Sequence, residues 1–266
     1  MNEENYTGQG NNEDKLKNSE ENVETIDQFE ELSKSDAMSG IITEPGETFE
    51  KIAGGPKRNY WTYPVLIAVV LSLLSSFLFM RDPELSRNTM DKQKAKMMEK
   101  FEKNIKDGKM TQEEADEAIE RMNPNGPFFK IIGYAGALIG PFLILLLLSL
   151  IYFIILKIMK SSVEFSSVLN VVGLAMLISS VGSILAILIS IMKGNMTGVS
   201  PGIFLSEESI GEKVFSFLNK LDVFTIWFYV VISIGLTKVG RISMVKSATF
   251  VFGLFIIYTV ITSLVF

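Results

Sequence analysis

The apolar residues of this chain gather into long unbroken runs instead of alternating with polar ones at strand or helical period. The first run, Trp61–Met80, carries no charge and matches the ~20 residues that a helix needs to cross the hydrocarbon core of a bilayer. Trp61 and Tyr63 stand at its start, as an interfacial aromatic belt does, and Arg81 and Asp82 end it. Four more runs follow, at about 131–155, 168–192, 221–236 and 248–266. The pattern predicts an all-α fold: a polytopic transmembrane helical bundle with five spans.

The polar stretches between the runs have patterns of their own. Residues 83–126 carry nearly balanced charge, with Met90, Met97, Met98, Phe101 and Ile105 at near-helical spacing. Asp107-Gly108 marks a turn, and Thr111 followed three residues later by Glu114 has the form of a capping box. Ala115, Ala118, Ile119 and Met122 continue at helical period up to the turn at Asn123–Pro127. This stretch therefore reads as a charged helical hairpin outside the membrane. It is not a calcium loop, because an EF-hand register ending on Glu114 would put Lys103 and Ile105 where side-chain oxygens are required. Residues 207–220 read as one amphipathic helix with Ile210, Val214, Phe217, Leu218 and Leu221 on a shared face. Upstream, Pro45 suits the first turn of a short helix, Glu47 and Glu50 favour its N-terminal end, and Gly54-Gly55 stops it. Its Phe49 and Ile52 share a face that lies either on the membrane surface or against the bundle.

Small residues inside the runs mark candidate helix contacts. Gly133, Gly136 and Gly140 recur at three and four residues, and Gly182 lies among Gly173, Ser179, Ser180 and Ser183 in the third run. Such spacing lets two backbones approach closely, so Gly136 and Gly140 are expected to face another helix. Pro141 removes a backbone donor and is expected to bend the second span. A broken helix lining a substrate path is the alternative reading of that proline.

Composition narrows the chemistry. The chain has neither cysteine nor histidine, which removes thiol and imidazole catalysis, disulfides and Cys/His zinc sites. No catalytic, cofactor or metal residues are assigned. Asp222 is the one acid within an apolar stretch, and its place near the start of a span suits either helix capping or a functional ion site. The net charge of −5 comes mostly from the N-terminal region, and no concentrated basic patch suggests nucleic acid. Residues 1–35 bury nothing at helical period and read as a disordered acidic tail, ahead of a membrane domain over 36–266. No secretory signal peptide is visible, so the first span is expected to remain as an anchor. Lys51, Lys57 and Arg58, then Lys157 and Lys160, then Lys238, Arg241 and Lys246 fall on one side of a five-span chain. That places the N-terminus in the cytoplasm and the hairpin outside.

Two stretches carry a resemblance. Leu221-Asp222-Val223-Phe224-Thr225-Ile226-Trp227, then Ile234-Gly235-Leu236, a short basic loop and Lys246-Ser247-Ala248 resemble the C-terminal half of bacterial Yip-domain proteins. Pro45-Gly46-Glu47-Thr48-Phe49-Glu50-Lys51-Ile52, ahead of Trp61 and Pro64, resembles the start of the same domain. The resemblance spans about 41–266 and implies five helices, a cytoplasmic N-terminus in a bacterial inner membrane, and kinship with eukaryotic Yip/Yif proteins that interact with Ypt/Rab GTPases. The Asp-Leu-Tyr-Gly-Pro motif of the eukaryotic members is absent, so GTPase binding is not carried over. The functional expectation is a non-enzymatic membrane protein that contacts the lipid bilayer and binds partner proteins or further copies of itself, or organises the membrane. The alternative is a transporter or channel subunit.

Overall fold

The computed structural model describes residues 32–121, 123, 126–205 and 207–265. The tail expected over 1–35 lies outside the described residues as far as residue 31. The described residues form helices, a 3-10 turn and loops, with no strand among them. In chain order the helices are α1 (Lys34–Thr43), α2 (Pro45–Gly54), α3 (Thr62–Arg81), α4 (Pro83–Lys106), α5 (Gln112–Arg121), α6 (Pro127–Ile158), α7 (Phe165–Lys193), α8 (Glu207–Ile210), α9 (Glu212–Lys220), α10 (Val223–Gly240) and α11 (Met244–Val265). Five of them, α3, α6, α7, α10 and α11, are long and apolar enough to cross a membrane.

The bundle is organised around α7, which packs against α3, α6 and α10, while α11 packs on α10. Val168, Val171, Val172, Leu174 and Ala175 of α7 are fully buried. Between helices in lipid, close packing replaces hydrophobic burial as the driving force, so the glycines of this core set the contacts. A Cβ at Gly173 would stand 2.4 Å from Trp61 Cβ and 2.8 Å from Trp61 Cα. One at Gly182 would stand 2.5 Å from Phe224 Cβ, and one at Gly235 2.5 Å from Val171 Cγ1. The outer faces of α6 and α11 are apolar and exposed, at Leu143, Leu147 and Ile154 and at Ile256, Ile257 and Ile261. They are the surfaces that contact lipid.

Two local expectations change and one open alternative is resolved. The short helix expected from Pro45 to Gly54 is α2, and a further helix, α1, precedes it, the two meeting at a corner so tight that a Cβ at Gly40 would collide with Thr48 Oγ1. Phe49 is fully buried beside Gly235, so α2 packs against the bundle and not on the membrane surface. The single amphipathic helix over 207–220 is broken at Gly211, whose φ of +81° no helix can continue through. Its apolar face is not buried within the chain: Val214 is exposed, and no residue of α9 is buried. Finally, a Cβ at Gly136 or Gly140 meets nothing within 4 Å, so neither glycine faces another helix of this chain. The reason is register. α6 turns Ala137, Pro141 and Leu145 inward, which rotates Gly136 out to the lipid side. The helix runs unbroken through Pro141.

The hairpin expected at 83–126 is α4 followed by α5. Asp82 ends α3 and starts α4 at once, its Oδ1 accepting from Leu85 N at 2.7 Å. Gly108 turns the chain at φ +68°. Thr111 N then donates to Glu114 Oε2 at 2.8 Å and Glu114 N to Thr111 Oγ1 at 3.2 Å, the reciprocal pair of a capping box.

Candidate functional site

The most elaborate polar construction lies at the end of the bundle that holds α1 and α2. Its centre is Asn170, one turn and a half into α7 and buried. The first amides of a helix have no partner within it. Trp61, at the cap position of α3, has no side chain able to serve them. Asn170 supplies the missing acceptor from another helix. Its Oδ1 accepts from Tyr60 N at 2.8 Å and Trp61 N at 3.2 Å, and its Nδ2 donates to Arg58 O at 2.8 Å. The Tyr60 hydroxyl donates to Leu32 O at 3.0 Å, so the same segment ties the start of α1 into place.

A second tie closes the opposite wall. Ser161, in the loop between α6 and α7, donates to Gly240 O at 2.8 Å, at the last residue of α10. The next residue, Arg241, caps α10 in the left-handed region with φ +50°, a conformation that glycine enters more cheaply. Between these two ties lies a cavity of about 320 Å³, bordered by Lys57, Arg58, Glu164, Ser166, Asn170 and Arg241 among others. Lys57 Nζ bridges its mouth to Glu164 Oε1 at 2.5 Å.

The other end of the bundle is built differently. Asp222 is the N-cap of α10, with Oδ1 accepting from Phe224 N at 2.8 Å and Thr225 N at 3.1 Å. Its Oδ2 is buried against Gly198 and has no hydrogen-bond partner among the described residues. Lys220 Nζ donates to Thr262 Oγ1 and Ser263 Oγ, joining α9 to the end of α11. Burial, with the Lys96 charge adding to it, holds the Lys220 ammonium below the usual lysine range. A smaller cavity of about 280 Å³ lies against α4, bordered by Arg87, Asp91 and Lys94. The lysines and acids of α4 and of α8–α9 pair across this end, Lys92 with Glu207 at 2.9 Å and Lys96 with Glu212.

The residues singled out by sequence thus divide. Gly182 lies under Phe224, and Gly133 lies over the flexible end of Met80, whereas Gly136 and Gly140 have open space. Asp222 caps a helix and stands far in the chain from Asn170, which lies in the third run but is not among the candidates marked there by small residues. Asn170 had a signal: it is the amide within a span otherwise made of apolar and small residues, and a polar group at such a place needs a partner. Among the described residues, no three acids gather where a metal ion could be held.

A bundle of five membrane-length helices, capped at one end by two short helices and at the other by a charged hairpin, defines an all-helical integral membrane protein. The chain belongs to the Yip1 domain family, which matches residues 39–266. It is similar to the membrane protein YknW of Bacillus subtilis (strain 168), at 25% identity over 240 residues, covering 86% of this chain and 90% of the relative. No solved structure matches it.

Proposed function

We propose that this chain is a non-enzymatic protein of a bacterial inner membrane that binds partner proteins or organises the bilayer around it, with its N-terminus in the cytoplasm. The observation that carries the reading is the sealed centre of the bundle. Along α7 the side chains from Val171 to Ile178, which reach the middle of the helix, are buried against neighbouring helices, and Gly173 and Gly182 draw those helices into contact. An ion or proton pathway leaves ionisable groups at that depth, and acid–base chemistry needs them paired. Among the described residues no Asp, Glu, Lys or Arg is buried in this core, and its buried polar side chains are serines and threonines such as Ser180, Ser233 and Ser247, whose hydroxyls donate to helix carbonyls. The polar constructions sit at the two ends, where other molecules can reach them.

The test is purification of the full chain in mild detergent, with co-purifying proteins and lipids identified by mass spectrometry. Stoichiometric recovery of a partner protein or a defined lipid is expected. Substrate or ion flux in proteoliposomes that depends on this chain would overturn the reading in favour of a transporter. Orientation is tested separately. The chain lacks cysteine, so Ser19→Cys and Asn104→Cys each introduce a unique thiol. In intact cells an impermeant thiol reagent should label Asn104→Cys and leave Ser19→Cys unlabelled; the reverse pattern would invert the topology.

A further inference from the structure

Three cationic residues border the cavity at the α1–α2 end. Lys57 and Arg58 reach it from the segment before α3, and Arg241 from the corner between α10 and α11. A single carboxylate, Glu164, lines it against them, and Lys57 already pairs with that carboxylate. The Arg241 guanidinium has neither an ion pair nor a hydrogen bond among the described residues, although its backbone occupies a conformation that glycine would hold at lower cost. Ser166 lines the same space from the first turn of α7, and its amide has no hydrogen-bond partner among the described residues. The walls are the end of α2, the segment leading into α3, the first turns of α7 and the end of α10, so the cavity lies beside the points where these spans leave the hydrocarbon, at the level of lipid headgroups.

We propose that this cavity binds a phosphate-bearing group through Arg58 and Arg241. The planar fork of a guanidinium matches two phosphate oxygens at once, and two arginines on separate elements can grip one phosphate from two sides. The N-terminus of α7 adds its positive dipole end to the same place. At about 320 Å³ the space holds a phosphate together with the polar part attached to it. Asn170 is the scaffold of the site, since it fixes the backbone from Arg58 to Trp61 through three hydrogen bonds. The phosphate can come from a phospholipid headgroup or from solution. The inference does not rest on the partner-binding reading and stands or falls apart from it.

The experiment uses the full chain in detergent with two probes: phosphatidylglycerol, counted as retained lipid by native mass spectrometry, and radiolabelled inorganic phosphate, measured by equilibrium dialysis. Wild type should bind at least one. Binding of the lipid alone assigns the site to a headgroup, and binding of inorganic phosphate alone assigns it to a soluble phosphate. The double variant Arg58→Gln/Arg241→Gln should bind the successful probe at least about tenfold more weakly. Both arginines are exposed, so its melting temperature should stay at the wild-type value. Glu164→Gln should act in the opposite direction and tighten binding, because it removes the opposing charge and releases Lys57. Lys103→Gln, on the exposed face of α4, serves as the control and should bind as wild type does. Failure of both probes to bind wild type, wild-type binding by the double variant, or weakened binding by Glu164→Gln would overturn the proposal.

Discussion

α6 and α7 are both long apolar helices carrying small residues at close spacing, yet they do opposite things in the bundle. At the ~1.5 Å rise per residue of a helix, each is longer than the hydrocarbon core is thick. α7 is enclosed, with Gly173 pressed on the Trp61 backbone and Gly182 on Phe224. α6 lies outside, with Gly136 and Gly140 in open space and a broad row of leucines and isoleucines toward lipid. The difference teaches that a glycine spacing becomes a contact only when the helix is rotated to aim it. That rotation is decided by what else the helix must bury, here Pro141, Leu145, Ser149 and Tyr152 on α6.

The largest expected effect comes from testing the two helices with the same substitution. Gly173→Leu forces a side chain into the backbone of Trp61 and should destabilise the chain by ~3 kcal/mol or more, seen as a large fall in melting temperature in detergent. Gly140→Leu should stay within ~0.5 kcal/mol of wild type. A fall as large for Gly140→Leu would break the comparison and show that a second copy or another protein covers that face of α6.

Next in size is Asn170→Leu. It strips the acceptor from Tyr60 N and Trp61 N and the donor from Arg58 O, and should cost roughly 3 kcal/mol, since those groups are left in a buried place. Proteolysis between Gly55 and Trp61 should become faster while the spans stay protected. An unchanged cleavage rate there would mean that the segment is held by other contacts.

Smaller still is Asp222→Ala, which removes the cap of α10 at a cost of ~1 kcal/mol. The loss should be blunted, because the same substitution removes a buried oxygen with no partner. Smallest is Thr111→Ala, which breaks one half of the capping box and should cost under ~1 kcal/mol. Its effect should be confined to faster amide exchange in α5, with the melting of the bundle unmoved.

The five spans were legible because bilayer crossing leaves an unmistakable record, a run of uncharged residues of fixed length. Their true ends were not. α6 begins at Pro127 and α7 at Phe165, several residues before the apolar runs, since helix continues into the interface as long as caps and packing support it. The capping box at Thr111 and Glu114 was readable because both partners lie within one turn. The break at Gly211 was hidden by a periodic apolar face, and glycine alone does not reveal its φ. Gly182, Gly136 and Gly140 look alike in sequence but not in space, since a Cβ at Gly182 would meet Phe224 and one at Gly136 or Gly140 would meet nothing within 4 Å. The basic cavity was present in the sequence only as separate positive charges on short loops. Lys57, Arg58 and Arg241 were read for what they say about orientation, and their convergence depends on Asn170 and Ser161 joining stretches far apart in the chain.

The reach of Asn170 has a consequence for how the molecule is made. The amides at the head of the first span find their acceptor on the third, 110 residues later for Tyr60. Phe49 likewise waits for Gly235 on the fourth. During synthesis the first span is therefore delivered to the membrane with its leading turn unfinished. The two short helices ahead of it can dock only after α7 and α10 have followed. Assembly runs backwards at this end: the residues made early are the ones to be fixed late, and the cavity they wall comes into being with the last of those steps.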